Sequence, residues 1–245
     1  PAPPLHLPCT SPAPPLHLPC TSPVPPQVTD FFDYMQPFPD VGHLASNVRW
    51  FVGRHAIGLN EEGAHNSKGS DLAPLKTYVL SRAMWDPHHA NGSRLADEFG
   101  AAYYGRDAWP HLREYSRLFE ARADEEGAYV SEHDDCRASW LAPVDVLHAA
   151  ALFKAAAASA AGGAGGAAVI RRVETAKMSV WFLLLARWDE VRAFAANQTI
   201  AWPAEAEKAD ALIWFERVWN ASGAVAWDEK GNGLDYLKSC TREGE

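Results

Sequence analysis

Apolar side chains recur at helical spacing along most of the chain, and this periodicity predicts a protein built mainly from α-helices. Stripes of apolar positions three and four residues apart predict seven helices after Thr29, at residues 42–55, 72–85, 93–104, 107–127, 143–160, 169–196 and 203–220. Gly127 is expected to end the fourth of them, because glycine tolerates the left-handed backbone that closes many helices. No period of about 20 to 50 residues recurs, so the pattern does not favour a solenoid.

Two short segments near the start have the pattern of strands. Asp30–Gln36 is aromatic and stops at Pro37, and Ala56–Asn60 continues a short apolar run into a loop rich in Gly, Asn and Ser. With a helix between them, the two strands would pair in parallel through a right-handed crossover. The expected fold class is therefore mainly α with a small parallel β remnant. A closed (β/α)8 barrel needs eight such units, and only about two are present.

Composition divides the chain into three regions. The eleven residues PAPPLHLPCTS open the sequence and recur unchanged as residues 12–22. Proline at this density predicts an extended arm without a core, either a ligand for proline-binding domains or a duplicated or mis-assigned coding sequence. A Gly-rich break is expected near residues 162–166. The predicted regions are a disordered proline-rich repeat, a first folded unit and a helical extension, at residues 1–28, 29–127 and 128–245.

Composition and charge narrow the possible partners. Hydrophobic residues make up 47% of the chain and charged residues 22%, as in ordinary globular proteins. The net charge of −9 and the lack of a Lys/Arg-rich run argue against nucleic acid or an anionic membrane surface as a partner. Met178–Ala186, the longest apolar run, is much shorter than the roughly 20 residues that a bilayer requires. It predicts a buried helix and no membrane span.

Three N-glycosylation acceptors, at Asn91, Asn197 and Asn220, favour a secretory route.

The stretch GLNEEGAHN, residues 58–66, carries the candidate chemistry. It follows a predicted strand, and residues that perform chemistry often lie where a rigid element gives way to a loop. Glycosidases commonly use two carboxyl groups at the bond they cleave. Adjacent strand residues face opposite sides, however, so Glu61 and Glu62 do not form such a pair. His65 and Asn66 have side chains that hydrogen-bond hydroxyl groups, and ordinary loop roles are the alternative.

Further candidates have weaker support from the pattern. Asp33 and Tyr34 lie at the end of the first predicted strand, where Tyr34 would stack on or hydrogen-bond a sugar; core packing is the alternative. The stretch Glu132–Cys136 contains the residue types that bind metals. Consecutive ligands lack the spacing of known metal sites, so no metal is predicted. No cofactor is expected either, because the sequence has no Gly-rich phosphate loop.

Six blocks within residues 31–119 occur in the order and with the spacing of a known family. The blocks are Tyr34–Pro39, Asn47–Phe51, Gly58–Gly63, Leu72–Leu80, Met84–Pro87 and Phe99–Gly105. In these blocks the chain resembles the C-terminal part of the family catalogued as domain of unknown function 4838. Members of that family look like glycoside hydrolases with a (β/α)8 catalytic barrel. Some are assigned to glycoside hydrolase family 163, the endo-β-N-acetylglucosaminidases that act on N-glycans.

The resemblance implies a glycan-processing site that includes Glu61. The family's Phe-Glu-Gln-Gly block corresponds to Asn60–Gly63, which makes Glu61 the candidate catalytic residue. The two predicted strands would be the seventh and eighth of an incomplete barrel followed by a helical tail. An earlier Asp-Gly motif with a Cys-x-x-Cys-like pair has no counterpart here, so the principal catalytic carboxylates are expected outside this sequence. The candidate substrate-binding residues are Asp33, Tyr34, Glu62, His65 and Asn66.

Two hypotheses of function follow. In the first, the chain is a fragment of a glycoside hydrolase-like protein that hydrolyses N-acetylglucosaminyl linkages in glycans, and it is inactive alone. In the second, it is a non-catalytic helical carbohydrate-binding or interaction module. The expected partner is a glycan or oligosaccharide. Strands one to six in a longer transcript would favour the first hypothesis, and a stable fold of this chain alone would favour the second.

Overall fold

Helices dominate the structure, which confirms the fold class that the periodicity predicts. The computed structural model describes residues 28–162, 166–205 and 207–234. The proline-rich repeat lies outside the described residues apart from Val28, as does the centre of the Gly-rich break. The eight helices of the described residues are α1 (Leu44–Val52), α2 (Ala73–Trp85), α3 (Gly92–Tyr103), α4 (Trp109–Glu126), α5 (Pro143–Gly162), α6 (Gly166–Ala186), α7 (Trp188–Asn197) and α8 (Lys208–Ser222).

One hydrophobic cluster joins both ends of the described chain. Helix α5 packs against α4 and α6, and α6 also packs against α8. The apolar run that predicts a buried helix lies in α6, where every side chain from Met178 to Leu185 is buried. The fully buried Trp181 and Trp227 also belong to the cluster. The regions predicted as a first unit and a helical extension both contribute to this core.

Among the described residues, one helix is long and apolar enough to cross a membrane by length and composition, namely α5. Half of its most apolar stretch is buried inside the fold. Its side chains Val146, Ala149 and Ala150 are completely shielded from solvent. A helix that is apolar on all sides occurs both in protein cores and in membranes, and the observed neighbours of α5 are the helices α4, α6 and α7.

Neither predicted strand forms, so the prediction of a small parallel β remnant is wrong. Asp30–Gln36 is a series of bends and turns. The Asp30 carboxylate accepts hydrogen bonds from the amides of Phe32 and Asp33 at 2.8 and 2.9 Å. These local bonds fold the chain back and use amides that a strand would offer to a neighbour. Ala56–Asn60 has only isolated bridge positions, and the described residues contain no sheet.

The helix predicted over residues 169–196 is instead two helices, α6 and α7, which separate at Arg187. The backbone of Arg187 has φ −121° and ψ 31°, outside the helical range. Its buried guanidinium donates to the carbonyls of Cys136 and Leu141 and pairs with Glu190. The break therefore directs a charged side chain at main-chain acceptors that burial would otherwise leave unsatisfied. Apolar spacing alone does not reveal it, because the buried face continues across the break.

The ends of the helices agree only partly with the predicted caps. Gly127 ends α4 with φ 60°, which confirms the predicted left-handed stop. The sequence predicts that helix α3 is capped by Ser93, whereas its cap lies two residues earlier. The side chain of Asn91, and not that of Ser93, accepts the amide of Arg94 at 2.9 Å. Asparagine and serine are both good caps, so composition did not distinguish them.

Helices α3 and α4 approach closely at Gly100. A Cβ atom added at Gly100 would lie 2.1 Å from the ring of Trp109. That ring is held in place, because its indole nitrogen donates to the Asp97 carboxylate at 2.9 Å. Tyr104 stacks on the same ring, with 6.3 Å between ring centroids. The indole therefore has little freedom to move away from a larger side chain at position 100.

The substitution Gly100→Ala should lower the free energy of unfolding by about 1 to 3 kcal/mol, because overpacking a buried contact forces neighbours out of place. Alanine is otherwise the better helix former, so the loss would be steric in origin. Urea denaturation of the two proteins measures the difference. Gly162→Ala is the control, since an added Cβ there meets no atom within 4 Å. A Gly100→Ala protein as stable as the Gly162→Ala protein would contradict the close approach.

Candidate functional site

A buried lysine organises the region around the candidate residues. Lys76 lies in α2 and is 1% exposed. Its Nζ is 3.0 Å from the carboxylate of Asp40 and 3.6 Å from that of Asp71. It also donates to the carbonyls of Phe38 at 2.8 Å and Val28 at 3.2 Å. A buried charge is tolerated only when it is paired and hydrogen-bonded, so Lys76 fixes residues 28–40 against α2.

Asp71 connects this ion pair to α4. One of its oxygens accepts the amide of Phe38 at 3.1 Å, and the other accepts the hydroxyl of Tyr115 at 2.7 Å. An Asp immediately before a helix is a common cap, but the oxygens of Asp71 are used in these tertiary bonds. Helix α2 instead begins after Leu72, whose backbone is left-handed with φ 47°.

Two carboxyl groups of this region, Asp40 and Glu61, have pKa values close to neutrality. Burial raises the pKa of Asp40 to about 7, although the neighbouring Lys76 opposes the rise. Burial also raises the pKa of Glu61 from 4.5 to about 7, and the charge of Asp40 adds to the rise. The Oε2 atom of Glu61 is buried and has no hydrogen-bond partner among the described residues. A carboxyl group with such a pKa exchanges its proton near pH 7, as general acids and bases do.

Asp40 lies at an open groove of about 480 Å³. Helix α1 contributes Asn47 and Trp50, and His43 precedes the helix; their spacing of four and three residues places them on one face. Trp50 is 42% exposed, and the guanidinium of Arg54 lies 3.7 Å from the centre of its ring. An exposed aromatic ring beside a few polar side chains is typical of a ligand-binding surface. The lining includes Phe38, Asp40, His43, Asn47, Trp50 and Glu132.

Asp33 and Tyr34, two of the candidate substrate-binding residues, do not lie on a solvent-open surface. They are 6% and 0% exposed. The carboxylate of Asp33 accepts the indole N–H of Trp227, and the amide of Tyr34 donates to the carbonyl of the same tryptophan. Both residues therefore pack against the C-terminal part of the described chain. Their substrate-binding role stays a prediction.

The other predicted residues lie in the loop around Glu61. Glu62 is exposed, and so is His65, whose Nδ1 is 3.5 Å from the hydroxyl of Tyr34. The amide group of Asn66 donates to the carbonyls of residues 228 and 229, at 3.3 and 3.4 Å. The loop is thus attached to the C-terminal segment. These three residues do not line the groove at Asp40, and neither does Glu61, whose link to the groove is the charge of Asp40.

The acidic stretch Glu132–Cys136 forms a loop held by its own hydrogen bonds. The Asp134 carboxylate accepts the amide of Ser131 at 3.1 Å and the indole N–H of Trp140 at 3.0 Å. Within the described ranges, no three His, Cys, Asp or Glu side chains come together as metal ligands. The stretch contributes Glu132 to the groove.

Sequence reasoning overlooked Asp40, Lys76 and Trp50. A signal for Lys76 exists, because it lies four residues after Leu72 and four before Leu80, on the apolar face of α2. A lysine in such a position is rarely buried unless it is paired. Asp40 has no comparable signal. For Trp50 the sequence signal is misleading, because helical spacing predicts an apolar, core-facing side chain, whereas the ring is 42% exposed.

The segment that carries this site matches a known protein family. Residues 27–117 match the family described as domain of unknown function (DUF4838). This match supports the resemblance found in the six sequence blocks. The DUF4838 segment contains Asp40, Glu61, Lys76 and the groove-lining face of α1, whereas Glu132 comes from the chain that follows it. No curated protein and no solved structure matches the chain.

The raised pKa of Glu61 should make the stability of the fold depend on pH. The folded protein holds this proton more tightly than the unfolded chain does. The stabilising contribution is therefore present below pH 4.5 and is lost as the pH rises to about 7. Glu61→Gln, which remains neutral, should match the native chain near pH 4. At pH 8 it should be more stable by about 1 kcal/mol, a value reduced to allow for the partial exposure of the group.

Urea denaturation at both pH values measures this effect. Glu62→Gln is the matched control, because Glu62 is the adjacent carboxylate and is exposed. The control should change the free energy of unfolding little at either pH. An equal gain at pH 8 for the two variants, or no gain for Glu61→Gln, would contradict the electrostatic account of Glu61.

Proposed function

We propose that the groove at Asp40 binds a glycan, and that the chain is the sugar-contacting part of a glycoside hydrolase-like protein acting on N-acetylglucosaminyl linkages. The observation that carries the proposal is the exposed ring of Trp50 beside the polar side chains of His43 and Asn47 in one open groove. The DUF4838 match of this segment supports it through the resemblance of that family to glycoside hydrolases.

The composition of the groove suits a sugar ring. A pyranose has an apolar face of C–H groups and a rim of hydroxyls, so it needs an aromatic surface together with hydrogen-bonding side chains. Trp50 provides the surface, and Arg54 and Phe51 hold the ring in position at 3.7 Å and 5.0 Å. The Asn47 amide both donates and accepts hydrogen bonds, and the His43 imidazole in the same lining also bonds hydroxyls.

In this proposal the two carboxyl groups with raised pKa have different tasks. Asp40 lies at the groove, but both of its carboxylate oxygens are buried, one of them 3.0 Å from Lys76, so it acts on a bound sugar through its charge. Glu61 lies close enough to Asp40 for the charge of Asp40 to raise the pKa of Glu61, after the larger effect of burial. Hydrolysis places carboxyl groups on both sides of the scissile bond. We therefore assign sugar binding, without turnover, to this chain alone, because the free oxygen of Glu61 is buried away from solvent.

The non-catalytic carbohydrate-binding module is the second candidate. The observation that favours it is the continuous hydrophobic cluster, which extends from Phe31 to Trp227 and packs the groove-bearing helix α1 into a core shared with the later helices. The two candidates predict the same binding surface. They differ in whether a longer form of the protein cleaves the bound glycan.

Removal of the Trp50 side chain should weaken glycan binding. Trp50→Ala is expected to lower the affinity for chitobiose about tenfold, because an aromatic contact of this kind contributes on the order of 1 kcal/mol beyond its area. Titration of the isotope-labelled chain by NMR measures the dissociation constant and locates the shifted residues. Those residues should cluster around the groove at Asp40.

Trp85→Ala is the matched control, since Trp85 is 87% exposed at the end of α2 and does not line the groove. The control variant should bind chitobiose like the native chain. Equal binding by Trp50→Ala, or shifts centred elsewhere, would contradict the proposed surface. Release of N-acetylglucosamine by the native chain would show that it is catalytic by itself.

A further inference from the structure

A second cavity, of about 680 Å³, lies between the start of α2 and the helices α3, α6 and α8. Its volume is within the range of small-molecule sites. No residue lines both this cavity and the groove at Asp40. We call it the cationic cleft, after its three basic side chains Lys68, Arg171 and Arg172.

The cationic cleft is basic although the chain has a net charge of −9. Its lining contains the three cations and no Asp or Glu. Glu174, the nearest carboxylate along α6, is engaged by the indole N–H of Trp214 at 2.8 Å and by Lys177 at 3.8 Å. The cations are therefore not neutralised by a carboxylate of the lining, and a concave surface concentrates their field.

Arg172 is held in a position to bind a ligand. Its guanidinium lies 4.3 Å from the centre of the Tyr103 ring, and its Nη1 donates to the Tyr103 carbonyl at 2.9 Å. This bond uses one of the five N–H donors of an arginine. The side chains of Lys68 and Arg171 make no hydrogen bond or ion pair with any described residue. Arg172 is therefore already ordered and still has N–H groups that can bind a ligand, and Lys68 and Arg171 lie in the same lining. A cation that is ordered before binding lowers the entropic cost of binding an anion.

The remaining lining of the cationic cleft is largely apolar. Phe99 and Tyr103 stack, with ring centroids 4.9 Å apart and an angle of 20° between their planes. Leu72 and Ala176 add aliphatic surface, and the hydroxyl of Thr77 adds a polar group. A bare inorganic anion would leave this surface unused, whereas a ring that carries an anionic group would contact both parts.

We propose that the cationic cleft binds a small sugar-sized molecule that carries an anionic oxygen group, a carboxylate or a phosphate. The anionic group contacts Arg171, Arg172 and Lys68. A guanidinium can donate two parallel hydrogen bonds to a carboxylate or a phosphate, and the lysine adds a third positive charge. The ring packs against Phe99 and Tyr103. This inference rests on the cleft alone and does not depend on the glycan groove at Asp40.

Titration of the full chain with three probes tests the proposal. Glucuronate presents a carboxylate, glucose 6-phosphate presents a phosphate, and glucose has the same ring without an anionic group. At least one of the two acids should produce saturable NMR shifts at the residues of the cationic cleft at concentrations up to about 10 mM. The acid that binds more tightly identifies the preferred anionic group. Glucose should bind at least about tenfold more weakly, and added salt should weaken the acids.

The double variant Lys68→Gln/Arg171→Gln should weaken the binding of the acids about tenfold or more, since it removes two cations that have no structural partner. The control, Arg82→Gln/Arg94→Gln, removes the same charge from exposed positions on α2 and α3 that do not line the cleft. The control should bind like the native chain. Equal weakening in both double variants, equal affinity for glucose, or no saturable shift with either acid would overturn the proposal.

Discussion

The buried ammonium group of Lys76 is the charge on which the arrangement of the DUF4838 segment depends. An unpaired ammonium would be far too costly to bury, so the fold surrounds it with Asp40, Asp71 and two carbonyl groups. These partners come from the segment before α1 and from the start of α2, and Asp71 extends the network to Tyr115 in α4. One cation does not neutralise several buried carboxylates. Burial therefore raises the pKa values of Asp40 and Glu61 to about 7, although Lys76 opposes the rise at Asp40.

The same network determines where the groove lies. Lys76 holds the carbonyl of Phe38 and the carboxylate of Asp40, so the turn between them is fixed beside α1. Helix α1 buries Leu44, Ala45 and Val48 on one side. Its opposite side is left to form the groove with Asp40. A structural ion pair and a candidate binding surface thus share one carboxylate, which couples the charge state of the interior to the chemistry of the groove.

The sequence predicts the helices well and the site incompletely, for physical reasons. Helical spacing predicts the segments of all eight helices of the described residues, with α6 and α7 predicted as one, because most of these helices bury one apolar side. The strand interpretation of Asp30–Gln36 was wrong because its aromatic pattern cannot show that the Asp30 carboxylate binds the amides of the next residues. Glu61 was chosen through the family resemblance, and its catalytic role stays a prediction. The groove itself depends on contacts between distant segments, and no local pattern records them.

The titration of the Asp40 and Glu61 carboxyl groups tests the central claim most directly, because it reports on burial, charge coupling and sugar contact together. Carbon-detected NMR of the native chain would follow both groups through a pH series, with and without chitobiose. The account predicts midpoints near 7 for both groups, and a change in the Asp40 midpoint when the sugar is present. Midpoints in the ordinary range near 4, unaffected by chitobiose, would contradict it.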